Sequence, residues 1–345
     1  MSYRKKLVFA NFTCKFGDKF NLLDLFDNVV HPSFQSKNFS RPFKGTVYFF
    51  LDTKLLTLKN NVNGEDELVL AGRLVKNTKL KREQVYRSDE GIINDKRELE
   101  SAPTSFFLLI LSSHRLLYMK EVAGAPPLAT FQSTCQNFLK RSHKSFIDRE
   151  YDKNNAERST NSTIKRITKK KLVLDYPYPI LRITTLTDPT SLRSYVDQFE
   201  KIEELTIKIL PTNDEDIDND DFWNALGDCR ERMGGKSYAE TKFRNKADGL
   251  NQEEVYEQSS LASEHANSEL KLKGKDSSGG NMRGNNDDFQ LSVDISEDTK
   301  QKNIGLTAQV LFSKFLEQIR IENIVVPKSA QSVIQKLIAI CNLLL

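Results

Sequence analysis

Apolar and polar residues alternate over residues 6–16, which predicts a strand, and Leu22, Leu23, Leu25 and Phe26 follow at helical spacing. Residues 46–51 and 55–58 read as a strand pair around a turn at Asp52-Thr53-Lys54, and residues 60–67 form a polar turn before another strand at 67–76. The charged stretch 79–100 shows no sustained apolar period and reads as a connection. Residues 106–111 and 115–120 predict a hairpin about Ser112-Ser113-His114. Pro126 and Pro127 stop it, and a short helix is expected over 128–138.

The second half is punctuated more sharply. A strand at 179–186 leads to Asp188-Pro189, a good N-cap followed by proline in the first turn, and Leu192, Tyr195, Val196 and Phe199 share one face of the helix 190–199. Pro211 ends the next strand, 204–210. A helix over 220–233 has an acidic first turn and is closed by Gly234-Gly235. Residues 252–267 are weakly helical. Strands at 269–274 and 289–295 flank the Gly- and Asn-rich segment 276–286, which reads as a flexible loop, and helices 305–321 and 329–345 finish the sequence.

These elements predict an α+β fold: a mostly antiparallel N-terminal sheet with a few helices over 1–138, and a basic linker or hinge over 139–175. A second α+β domain over 176–345 is expected to hold a strand–helix–strand–helix unit and the C-terminal helices. A length of 345 residues favours two domains, and 38 % hydrophobic residues with 21 Phe and 10 Tyr suffice for packed cores. Cys14, Cys135, Cys229 and Cys341 are widely spaced, which suggests reduced thiols rather than zinc ligands or a disulfide framework. The apolar stretches 106–112 and 332–345 are shorter than the ~20 residues of a membrane-spanning helix. A cytoplasmic protein is expected.

The net charge is only +4, so its distribution carries more information than its sum. Basic residues crowd residues 139–171, densest at Lys165, Arg166, Lys169, Lys170 and Lys171, whereas residues 214–221 are sharply acidic. Clustered cations release counterions on meeting a polyanion, and no aromatic residue interleaves with the dense run from Lys165 to Lys171, which favours duplex backbone contact over stacking on single strands. The plain alternative is a solvated linker. Lys271, Lys273, Lys275 and Arg283 beside Gly279, Gly280 and Gly284 suggest a second phosphate contact, in which the glycines let backbone amides approach.

No catalytic residue, metal site or cofactor is indicated. The acidic run lacks the glycine and closing glutamate of a calcium loop, His31, His114, His143 and His265 have no nucleophile context, and no Gly-rich phosphate motif precedes a helix. A metal-dependent nuclease using the carboxylates from Glu203 to Asp221 remains an alternative. Another is a protein–protein adaptor that docks through the apolar C-terminal helix.

Three stretches are similar to RexA-type phage-exclusion proteins: Ser105-Phe-Phe-Leu-Leu-Ile through Gly124-Ala-Pro-Pro and on to Phe138; residues 180–211, ending Glu204-Leu-Thr-Ile-Lys-Ile-Leu-Pro211; and Glu269-Leu-Lys-Leu-Lys-Gly-Lys-Asp-Ser-Ser-Gly-Gly280. They span about a third of the sequence, in the same order. The first hundred residues match poorly and the basic segment is longer here. The resemblance implies a homodimer that grips double-stranded DNA with little sequence preference and acts in antiphage defence beside a separate membrane protein. The DNA-binding subunit of Kiwa-type defence systems resembles this arrangement.

Overall fold

The computed structural model describes residues 3–35, 39–60, 64, 66–161, 163–210, 229, 233, 239–263, 268–296, 303–326 and 329–344. Within them the chain is α+β, built on two antiparallel sheets. The large sheet gathers β1 (Lys5–Phe16), β2 (Phe20–Asn21), β3 (Arg41–Phe43), β4 (Thr46–Lys59), β5 (Asp66–Arg87), β6 (Gly91–Ser101), β7 (Thr104–Ile110), β8 (Arg115–Lys120), β9 (Pro179–Thr185) and β14 (Ser292–Ile295). Its main path runs β14-β1-β8-β7-β5-β4-β3.

Helices cover both faces of this sheet. On one side Ala10, Phe12, Phe107, Leu109 and Tyr118 lie under α2 (Leu128–Thr160); on the other Leu7, Phe9, Phe106, Leu108 and Leu117 lie under α6 (Ile304–Arg320). Burial on both faces is why β7 and β8 read as continuous apolar runs instead of alternating ones. Helix α2 turns Phe131, Cys135, Phe138, Leu139, His143, Phe146 and Ile147 inward along one stripe. Helix α6 does the same with Ile304, Ala308, Leu311, Phe312 and Phe315. Helix α7 (Gln331–Leu344) buries Val333 and Ile340 and pairs Lys336 with Asp24 at 2.7 Å, leaving Ile334, Ile338 and Leu343 exposed.

Several expected boundaries move. Helix α2 does not stop near Phe138 but runs through most of the expected hinge, and α3 (Lys169–Asp175) folds back beside it; Asn154 accepts the Ile167 amide and donates to the Lys165 carbonyl to close the pair. Residues 52–54 form no hairpin turn. They are a bulge within β4, with Asp52 at φ 54° and Thr53 set against Gly72, where a Cβ would stand 2.8 Å from the Thr53 hydroxyl. The stretch 79–100 is no mere connection, because β5 and β6 continue past the sheet as a two-stranded ribbon paired from Thr78↔Ser101 to Arg87↔Gly91. The helix expected at 220–233 lies outside the described residues apart from residues 229 and 233.

The small sheet has the order β11-β10-β12-β13, from β10 (Phe199–Ile209), β11 (Ala239–Arg244), β12 (Ser268–Asp276) and β13 (Asn281–Asn285). Helices α4 (Pro189–Val196) and α5 (Gln252–Ser263) pack on one of its faces, around Leu192, Leu205, Ile207, Val255, Leu270 and Leu272. Asp188 caps α4 as its sequence position implies, accepting the Ser191 amide. Strands β9 and β14 lie in tandem along one edge of β1, so the small-sheet unit is an insertion between them. Where it enters and leaves, Leu291 N donates to the Leu186 carbonyl and Asp188 N to that of Phe289. The strand–helix–strand unit therefore straddles two sheets, with β9 in the large one and β10 in the small one, and residues 139–175 are not where the chain changes sheets.

Candidate nucleic-acid interface

Period-two alternation sorts the small sheet's side chains. On β12, Leu270 and Leu272 point into the core, while Glu269, Lys271, Lys273 and Lys275 fall on the opposite face. The pairing register extends that division across the sheet: Glu204 is flanked by Arg244 and Lys273, Thr206 by Lys242 and Lys271, and Lys208 by Glu240 and Glu269, while Arg283 stands opposite Lys273 on β13. Lys242, Arg244, Lys271, Lys273 and Arg283 are exposed, as is Lys246 just beyond β11. This face and its rim thus hold eight cations, counting Lys208 and Lys275, against the four carboxylates Glu203, Glu204, Glu240 and Glu269.

Glu204 organises the cluster. Its side chain is only 10 % exposed, and Lys273 Nζ lies 2.6 Å from Oε1, Lys242 Nζ 3.7 Å from Oε1, and Arg244 Nε 3.7 Å from Oε2. The Lys273 hydrogen bond, then the charges of Lys242, Lys273 and Arg244, hold its carboxyl below the ordinary glutamate range. One carboxylate thus fans three cations outward. Farther along, Glu269 sits between Arg182 of β9 at 3.4 Å and Lys208 at 3.6 Å. Lys271, Lys246 and Arg283 have no carboxylate partner among the described residues.

The two sets of cations expected from the sequence lie on different elements. Lys271 and Lys273 are on the open face, and Lys275 is held at the hairpin end by the Asn281 side-chain oxygen at 2.7 Å. Lys165, Arg166, Lys169, Lys170 and Lys171 belong instead to the α2–α3 pair on the large sheet, where Lys169 is paired with Asp148 and lies over the Tyr151 ring, and Lys171 pairs with Asp175 at 2.7 Å. Arg283 of the expected second contact stands opposite Lys273 on the same face, whereas sequence reasoning missed Lys242, Arg244 and Lys246. The alternation Glu240-Thr-Lys242-Phe-Arg244 was a readable signal, but it carries no long apolar run to mark a strand.

The glycine-loop idea changes as well. Residues 281–285 are a strand, and the turn before it is closed by Asp276, whose Oδ1 accepts the Ser278 and Gly280 amides while its carbonyl accepts that of Gly279. The Ser278 hydroxyl, which donates to the same Oδ1 at 2.7 Å, and then the Gly280 and Ser278 amides hold the Asp276 carboxyl below its usual range. The amides serve the turn rather than a phosphate. Gly284 is needed for contact with Tyr195, whose ring carbon would lie 2.3 Å from a Cβ there. As for the nuclease alternative, Glu204 is already engaged by three cations, and Asp214 to Asp221 lie outside the described residues. No group of three or more His, Cys, Asp or Glu side chains is placed to hold a metal among the described residues. Nor is any described helix long and apolar enough to cross a membrane.

Neither protein-family models nor curated protein sequences match this chain.

Proposed function

We propose that this protein binds double-stranded DNA without cleaving it and with little sequence preference, through the open face of its small sheet, and that it acts as a sensor or regulator in antiphage defence. The observation that carries this reading is the one-sided sheet itself: one face is closed by α4 and α5, while the other presents exposed cations in cross-strand rows. Rows of Lys and Arg suit phosphate contacts, which position a duplex without reading its bases. The stretches that resemble RexA-type proteins include β10 and β12, the two central strands of this face, and the homodimer and separate membrane partner that the resemblance implies are part of the proposal.

Salt dependence tests the reading. If the face neutralises about five phosphates, the logarithm of affinity falls against that of salt with a slope of about −4.5, roughly 500-fold between about 50 and 200 mM. Fluorescence anisotropy on an unrelated pair of duplexes should give similar affinities and that steep slope. Replacing Lys242 and Lys271 together by Ala should flatten the slope by about 1.8, whereas Lys165→Ala with Lys170→Ala should change it less. Absence of binding to any duplex at low salt would overturn the proposal.

A further inference from the structure

The open face is not uniformly flat. A β-bulge at Glu203 interrupts the pairing of β10 with β12, and there a concavity of about 180 Å³ opens between β10, β12, β13 and the segment after β11. Bulges re-aim side chains, and this one brings the consecutive residues Glu203 and Glu204 to the same cavity. Its walls also carry Arg244, Lys246, Lys273 and Arg283. Gly274 lines it because a Cβ would fall 2.0 Å from the Lys201 carbonyl oxygen, so the backbones stay in close approach.

We infer that this concavity is a site for a phosphomonoester, the terminal phosphate of a DNA strand, an inference that rests on the DNA-binding reading above. Size comes first. Sites for whole drug- or nucleotide-sized ligands are usually ~300–1,000 Å³, so this one suits a single small group that protrudes into the sheet. Charge comes second. Four cations face two carboxylates here, leaving two positive charges, and a phosphomonoester carries about −1.5 to −2 at neutral pH. A diester within the backbone carries only a single charge. Donor geometry comes third. Glu204 occupies Lys273 closely and Arg244 at longer range, but Lys246 and Arg283 on the rim have no carboxylate partner among the described residues, and the two guanidinium groups offer the forked donors that suit phosphate oxygens.

Anisotropy on the full chain decides it, with one duplex sequence prepared as 5′-phosphorylated, 5′-hydroxyl and covalently closed circular DNA, and with thermal stability measured in inorganic phosphate. The phosphorylated ends should bind about tenfold tighter than hydroxyl ends or circles, about one pair of charge-assisted contacts. Lys246→Ala with Arg283→Ala should erase that preference: circles bind more weakly because both cations belong to the DNA-binding face, and phosphorylated ends lose about tenfold more, which brings the three DNAs to one affinity. Both residues are exposed, and circular dichroism controls for their folding. Equal affinity for all three DNAs would overturn the inference and leave the DNA-binding reading standing. If no DNA binds but inorganic phosphate raises the melting temperature of the native chain and not of the double variant, the anion site stands and the DNA reading falls. No response to DNA or phosphate overturns both.

Discussion

Replacing Glu204 by Gln removes one charge from the centre of the basic face while keeping a side chain of the same shape, and it should move folding and binding in opposite directions. The three cations around the carboxylate are 45 %, 47 % and 55 % exposed at Lys273, Lys242 and Arg244. Ion pairs of that exposure contribute ~0.2–1 kcal/mol each, so the variant should lose roughly 1–2 kcal/mol of stability in urea titrations. Because the Glu204 carboxyl is held low in the fold, that contribution is present above the ordinary carboxylate pKa of about 4.3 and is lost as pH falls through the lower folded value. The difference between native chain and variant should therefore be flat at neutral pH and close only in acid. For DNA, a carboxylate about 6 Å from a bound phosphate opposes it by ~0.7 kcal/mol in water, so the variant should bind about threefold tighter. Its salt slope should steepen by about 0.9 if the released cations engage one more phosphate. A variant that is less stable but binds DNA with unchanged or weaker affinity and the same slope would refute the assignment of this face.

Three further outcomes test the large sheet and its helices. Phe131 is fully buried, with ring centroids 5.1 Å from Phe107 and 5.2 Å from Tyr118, so Phe131→Ala should cost about 3–5 kcal/mol in urea unfolding, and a loss under 1 kcal/mol would contradict that packing. Burial pushes the Cys14 thiol up to about 12 and Cys135 well above its ordinary value, so at mild alkaline pH a thiol reagent should label Cys229 and Cys341 first and reach the other two only on unfolding. Burial lowers the His143 pKa despite the Nε2–H bond to the Tyr176 carbonyl at 2.8 Å, and among the described residues Nδ1 has no acceptor for the N–H that a second proton would create. The unfolded chain therefore binds that proton more readily, and stability should fall as pH drops below about 6.5; His143→Gln should flatten this slope while the similarly lowered His31 keeps its share.

What the sequence made legible follows from how each element is buried. The segments of the large sheet were readable because β1, β4, β7 and β8 concentrate apolar residues between turns. What escaped was the extent of α2: beyond Ile147 its exposed face is almost wholly polar, and a polar helix packed by a single stripe has nearly the composition of a solvated linker. The ribbon escaped for a related reason. Leu80, Tyr86, Ile92 and Leu99 are 54 %, 73 %, 71 % and 67 % exposed, so no buried side of 78–101 imposes an alternating pattern. The insertion of the small sheet between β9 and β14 could not be read from order alone, because it depends on two distant segments sharing one edge of β1.

The candidate site obeys a different logic. Charge density along the chain pointed to residues 165–171, where cations are close in sequence, yet on a helix pair such neighbours radiate around the axis and two of them meet carboxylates at Asp148 and Asp175. Strands do the reverse. Lys271 and Lys273 are two apart, so they share a face, and antiparallel pairing sets Lys242, Arg244 and Arg283 from distant stretches into the same rows. A sheet covered on one side thus turns a weak local alternation into a dense surface charge. The Glu204 side chain, placed where like charges would otherwise repel, lets those rows stand in the folded protein before any polyanion arrives.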